Sequence, residues 1–197
     1  VTASAGIVFN RTTGTALYSH NAYLRLYPAS VTKCMTFLVA LKHGDLSAAI
    51  TVTEEMLNNL DPESSVAGLR PGDTLSLEQL LYGLMLPSGN DAANAIAWLV
   101  AGGEEPFAAL MNEEAKAIGA TGSHFVNAHG LHDEQHYTSA YDLALIGKAF
   151  FQNELLSKIG NTASHHFEAT STQPDDFYER NKHQLISGTI PSFSYGL

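Results

Sequence analysis

Ser30 and Lys33 stand three positions apart in Ser30-Val31-Thr32-Lys33, a spacing that makes side chains neighbours on a helix. A neutral lysine amine beside a serine hydroxyl can take its proton and make it a nucleophile for acyl transfer. The flanks predict a helix here. Pro28 disfavours helical backbone at Tyr27, Val31 to His43 hold neither Pro nor Gly, Met35, Leu38, Val39 and Lys42 recur at helical spacing, and Gly44 ends the run. A helix N-terminus carries unpaired N–H donors and partial positive charge. The Ser30 N–H is thus placed to donate to an oxyanion, and the same field disfavours a protonated Lys33. Taken alone, Ser-x-x-Lys reads as an ordinary helix cap followed by a surface lysine.

A second cluster, Ser88-Gly89-Asn90, follows the apolar run Leu80–Leu86 and the breaker Pro87, and precedes Asp91–Ala97, which reads as another helix. A Ser and an Asn on a tight turn between two buried helices are well placed to face a cleft. Ser19-His20-Asn21 fits the same short pattern, but it precedes Ser30 and follows a strand-like run, so it reads as a turn. His132 and His136 have the spacing of a zinc helix. The Glu lies one place from where His-Glu-x-x-His needs it, and Gly130 argues for a loop, so no metal site is expected. The remaining histidines, His165 and His166 among them, are scattered and read as surface residues. Cys34, the single cysteine, reads as a small buried apolar residue on the Ser30 helix, with a reactive thiol as the alternative.

The elements that position these residues follow from patterning. Residues 4–10 and 14–19 predict a hairpin with Gly14 in its turn. Residues 45–140 read as mainly helical, with helices over Leu75–Leu86, Asp91–Val100 and Glu105–Ile118. A further helix over 140–152 starts at Thr138 or Ser139, where Ser139 and Asp142 resemble a capping box. Residues 165–171 and 184–187 read as strands. With 197 residues the chain can bury a real core as one domain. Its net charge of −10 argues against nucleic-acid binding, no polybasic stretch suggests an anionic membrane surface, and its apolar runs are too short or interrupted to span a bilayer.

Order and context connect the two clusters. Tyr27-Pro-Ala-Ser-Val-Thr-Lys33 followed by Leu86-Pro-Ser-Gly-Asn-Asp-Ala-Ala93 resembles the penicillin-binding serine D-alanyl-D-alanine carboxypeptidases. Ala5–Asn10, Gly14–Tyr18, Gly68–Asp73, Phe125–Leu131 and His136–Asp142 resemble further stretches of that family. The resemblance implies an α+β fold of the β-lactamase/transpeptidase type: an antiparallel sheet with flanking helices, an inserted all-helical lobe, and the cleft between them. The sheet lobe is expected over about 1–44 and 141–197 and the helical lobe over about 45–140. It implies Ser30 as nucleophile, Lys33 as base, Ser88 as proton relay and Asn90 as substrate-binding residue, with no cofactor and no metal. The implied partners are a peptidoglycan stem peptide ending in D-Ala-D-Ala, and β-lactams that acylate the same serine. The implied location is extracytoplasmic.

The family's third motif, Lys-Thr-Gly or His-Thr-Gly, is missing. Lys182 is followed by His183 and Gln184, and Ser187-Gly188-Thr189 has the wrong order, while Tyr195-Gly196-Leu197 resembles the approach to that motif. Residues 1–197 are therefore expected to be a domain incomplete at its C-terminus, with any export signal or membrane anchor outside this chain. Such a piece keeps the nucleophile but lacks much of the substrate clamp. Alternatives are a D,D-endopeptidase with the same residues and a catalytically weak penicillin-binding module. Glu54-Glu55-Met56-Leu57-Asn58 matches a class A β-lactamase pattern but precedes Ser88 instead of following it, which argues against a lactamase.

Lys33→Arg tests the base. Guanidinium stays protonated near neutral pH, so acylation of the full-length protein by a penicillin should fall by about a hundred-fold or more with the melting midpoint hardly moved. A near wild-type acylation rate would reduce Lys33 to a structural role.

Overall fold

The computed structural model describes residues 2–187 apart from Asn59 and Asp176. Gly14, at φ 73°, turns β1 (Gly6–Phe9) back antiparallel on β2 (Ala16–His20), with a register shift between Val8 and Phe9. A 3-10 turn over Ala29–Thr32 then leads into α1 (Lys33–His43). Met35, Thr36, Phe37, Val39 and Ala40 of α1 are all buried. A helix apolar on most sides belongs in the middle of a core, and α1 accordingly packs against helices on several sides.

Around it stand α3 (Leu77–Met85), α4 (Asn90–Ala101), α5 (Glu104–Ala117) and α6 (Ala140–Phe150). Ser76 begins α3 with a full capping box, its hydroxyl accepting from the Gln79 N–H while the Gln79 side chain accepts from the Ser76 N–H. At the start of α6, Ser139 accepts from the Asp142 N–H, but the Asp142 carboxylate takes the Ser123 hydroxyl instead of closing a box.

Several elements differ from the sequence reading. The stretch expected to be mainly helical also contains β3 (Ala49–Thr51) paired antiparallel with β4 (Thr74–Ser76), so the third helix starts at Leu77 instead of Leu75. These strands are three residues each, too short for a period of two to show. A short α2 (Glu54–Leu57) lies between them. Asn153, accepting from the Leu155 and Leu156 N–H groups, starts an unexpected α7 (Glu154–Gly160). Of residues 165–171, expected as strand, only 165–167 belong to β5 (Ser164–Phe167), which pairs with β6 (Phe177–Arg180) and stops before Thr170 and Thr172, whose hydroxyls turn to Asp73. Residues 184–187, expected as strand, are helical (α8, Gln184–Ser187): Asn181 caps the His183 N–H, and the Ile186 and Ser187 N–H groups return to the His183 carbonyl. Tyr195-Gly196-Leu197 lies outside the described residues.

The α3–α4 connection carries Ser88-Gly89-Asn90. Gly83 brings α3 close enough that a Cβ there would sit 3.1 Å from Ala67 Cβ and 3.2 Å from Ala92 Cβ. A Cβ at Gly89 would lie 2.7 Å from the Gly83 carbonyl oxygen and 2.9 Å from the Ala67 nitrogen, so Gly89 is required by space at an ordinary φ of −66°. Gly89→Ala should lower stability by about 1–3 kcal/mol, as overpacking does, read as a fall in the urea midpoint of the full-length protein. An unchanged midpoint would show that the turn has room to spare.

Candidate active site

Lys33 Nζ is the hub of the site. It lies 3.2 Å from Ser30 Oγ, 2.7 Å from Asn90 Oδ1 and 2.9 Å from the His129 carbonyl oxygen. Ser30 is exposed, whereas Lys33 is only 2% exposed. The Asn90 and His129 oxygens are acceptors only. A neutral amine has two N–H bonds and one lone pair. With both N–H bonds directed at those oxygens, the lone pair is left for the Ser30 hydroxyl proton.

Burial first, and then the positive charge of Lys182, push the Lys33 pKa down to about 8 against the opposing charge of Asp91. Lys182 reaches the site from beyond β6, its N–H donating to the Leu86 carbonyl at 3.0 Å and its ammonium to Ser65 Oγ. Asp91, buried, accepts from the Ala67 N–H at 2.7 Å and the Leu69 N–H at 2.9 Å, which ties the 65–69 loop to the start of α4. Cys34, next in sequence to Lys33, packs against the core, and burial pushes its thiol up to about 11. The thiol is therefore protonated at neutral pH and a poor competitor for Ser30.

Two non-glycine residues close in sequence to these groups hold left-handed backbone, Ala29 at φ 49° before Ser30 and Ser88 at φ 63° before Asn90, an arrangement costing about 1–3 kcal/mol each. Ala29 turns the chain into Ser30, whose N–H belongs to the unpaired first turn. Gly130 (φ 88°) makes room for it: a Cβ there would fall 1.9 Å from the Ala29 carbonyl oxygen. Ser88 is half-buried two residues before Asn90, and its hydroxyl makes no hydrogen bond among the described residues.

Of the residues singled out in the sequence, Ser30 and Asn90 each meet Lys33 Nζ, whereas Ser88 is joined to them only by its place in the turn two residues before Asn90. Of Ser19-His20-Asn21, read as a turn, Ser19 and His20 end β2 and only Asn21 takes the positive-φ turn (46°). His136 is buried with both ring nitrogens occupied, and His132 packs edge-on against Tyr27. His129, read as surface, is buried; its ring accepts the Leu131 N–H and lies 3.8 Å from Glu104. His165 is half-buried and stacks on Tyr82 at 3.7 Å. Among the described residues, no group of His, Cys, Asp and Glu is placed to hold a metal ion. Sequence reasoning missed the His129 carbonyl, because a backbone acceptor has no residue signature. It also missed Lys182, which drew notice only for not belonging to a third motif.

The fold defines a class. The crystal structure of the Streptomyces K15 DD-transpeptidase superposes with a TM-score of 0.86 at 30% identity, over 96% of this chain and 77% of that one. The D-alanyl-D-alanine carboxypeptidase of Mycobacterium tuberculosis H37Rv gives 0.85 at 29%, over 94% and 68%. The chain therefore has the α+β fold of the penicillin-binding DD-peptidases. The sequence family described as D-alanyl-D-alanine carboxypeptidase, peptidase S11, matches residues 1–191, and the chain belongs to it. Carboxypeptidase DacF of Bacillus subtilis is 33% identical over 93% of this chain and 47% of its own length. DacC of Escherichia coli is 40% identical over 78% and 40%. The chain thus spans less than half the length of these two relatives.

An NMR titration of the Lys33 amine in the full-length protein should give a midpoint near 8. Lys182→Ala removes a positive neighbour and should raise that midpoint, whereas Asp91→Asn removes a negative one and should lower it. No movement in either variant would leave burial as the sole cause.

Proposed function

We propose that this chain is the catalytic domain of a serine-type D-Ala-D-Ala carboxypeptidase that also binds penicillin covalently. The observation that carries the reading is the Lys33 amine held between Ser30, Asn90 and the His129 carbonyl. Family membership and carboxypeptidase relatives support it.

In the reaction, Ser30 Oγ attacks the carbonyl carbon between the two D-alanines and its proton passes to Lys33 Nζ. The Ser30 N–H donates to the oxygen that gains charge. As the C–N bond breaks, Ser88 relays a proton to the departing amine, leaving an ester on Ser30. Asn90 binds the substrate amide while it orients Lys33. Water then cleaves the ester and regenerates the hydroxyl. A β-lactam offers the same attack but keeps its amine tethered. At a pKa of about 8, roughly a tenth of Lys33 is neutral at pH 7, so acylation should speed up as pH rises toward 8.

In this reading the sheet lobe runs over about residues 1–44 and 141–197 and the helical lobe over about 45–140. The substrate class places the enzyme outside the cytoplasmic membrane. Among the described residues no helix is long and apolar enough to cross a membrane.

Incubation of the full-length protein with a labelled penicillin should give one adduct on Ser30, absent from Ser30→Ala. Release of D-alanine from a D-alanyl-D-alanine peptide should be lost in the same variant. Labelling that persists in Ser30→Ala, or that maps to Cys34, would sink the assignment.

A further inference from the structure

A buried histidine stands behind the nucleophile turn and takes no part in the chemistry above. His136, 1% exposed, lies with Nε2 2.7 Å from Thr32 Oγ1, and Thr32, also 1% exposed, is the residue before Lys33. The other ring nitrogen, Nδ1, receives the Val126 N–H at 3.2 Å. A backbone N–H can only donate, so Nδ1 is the unprotonated nitrogen and Nε2 carries the proton. The hydrogen bond to Thr32 therefore runs from Nε2–H to the threonine hydroxyl oxygen. Burial pushes the His136 pKa down to about 4, with His129 and His124 in the same sense and Asp133 opposed, so the ring is neutral and in one tautomer at neutral pH. Phe125 fixes its tilt edge-on at 5.5 Å.

The ring is one of four places where the 124–138 segment grips the opening of α1. The others are the His129 carbonyl on Lys33 Nζ, the Ala128 carbonyl 2.6 Å from Thr36 Oγ1, and Gly130 against the Ala29 backbone. Of these, only the His136 contact is made by a side chain of the segment, and it reaches both this segment, through Val126, and the turn between Ser30 and Lys33, through Thr32.

We infer that His136 is a positioning residue for the Ser30–Lys33 pair: its Nε2–H holds Thr32, and with it the turn that sets the distance between hydroxyl and amine. The inference rests on the reading of Ser30 as nucleophile. Misplacing reacting groups by about 1 Å costs about a hundred-fold in rate, so loss of this contact should act on acylation beyond any effect on stability.

The test uses the full-length protein, the rate of acylation by a labelled penicillin and the melting midpoint. His136→Phe keeps an aromatic ring against Phe125 but removes both hydrogen bonds, and should slow acylation by about ten- to a hundred-fold. His136→Gln returns an N–H donor toward Thr32 and should recover most of that rate. Thr32→Val, which deletes the acceptor and leaves the histidine pocket intact, should match His136→Phe. The double variant should be no slower than the slower single one, as for two members of one contact. Should His136→Phe fail to fold, Thr32→Val alone decides. Wild-type acylation rates in Thr32→Val, or a His136→Gln as slow as His136→Phe at equal stability, would overturn the inference. A wild-type protein that is not acylated at Ser30 would instead overturn the functional reading, so the two failures are distinguishable.

Discussion

A lysine amine removed from water needs somewhere for each of its hydrogens to go, and most of the architecture around Lys33 answers that need. The Asn90 amide oxygen comes from the first residue of α4, and the His129 carbonyl from the loop between α5 and α6. Burying an ammonium is costly without such partners. With only acceptors supplied by Asn90 and His129, the direction left over points at Ser30. The same geometry satisfies the charged form with three donors and the neutral form with two donors and a lone pair. That is what a base that must take up and return a proton requires. Two elements remote in sequence are thus committed to one nitrogen atom.

The electrostatic setting divides the work between opposing charges. Burial and Lys182 press the proton off Lys33, while Asp91 draws it back. Asp91 has a structural task as well, since its carboxylate anchors the Ala67 and Leu69 N–H groups. Its carboxylate, like Asn90's amide, sits on the first turn of α4, so one helix start contributes both a ligand and a field. Lys182 supplies its positive charge from beyond β6, outside both clusters that the sequence singled out.

The sequence made the Ser30–Lys33 pair and the Ser-Gly-Asn turn legible, because both depend on side-chain type and local spacing. Gly14 in the first hairpin and Ser139 at the start of α6 were readable for the same reason. Gly44 marks the end of α1, but not through a left-handed cap: its backbone is extended (φ −101°), and a Cβ there would meet Leu77 Cδ2 at 2.4 Å. Only the folded packing shows that. The His129 carbonyl, the tautomer of His136 and the field of Lys182 were illegible, since each depends on which distant segment arrives beside α1. The strands β3 and β4 hold each other by pairing across a long connection, which no local window contains. Residues 184–187 show the opposite failure, where a short apolar run fits strand and helix alike and capping by Asn181 decides.

The contacts that make the site also set when it can exist. Lys33 is separated from Asn90 by 57 positions and from His129 by 96, and Thr32 from His136 by 104. Asp73, fully buried, is tied to Gln173, 100 positions away. Closing loops of that length has an entropy cost that local helix formation does not repay. Helix α1 can therefore form early with an ordinary, protonated lysine beside an ordinary serine. The contacts of Lys33 Nζ arise only once the chain has closed on itself through Asn90 and His129, and its lowered pKa also needs Lys182. The depressed lysine is in this sense a property of the completed topology and not of the segment that carries Ser30 and Lys33.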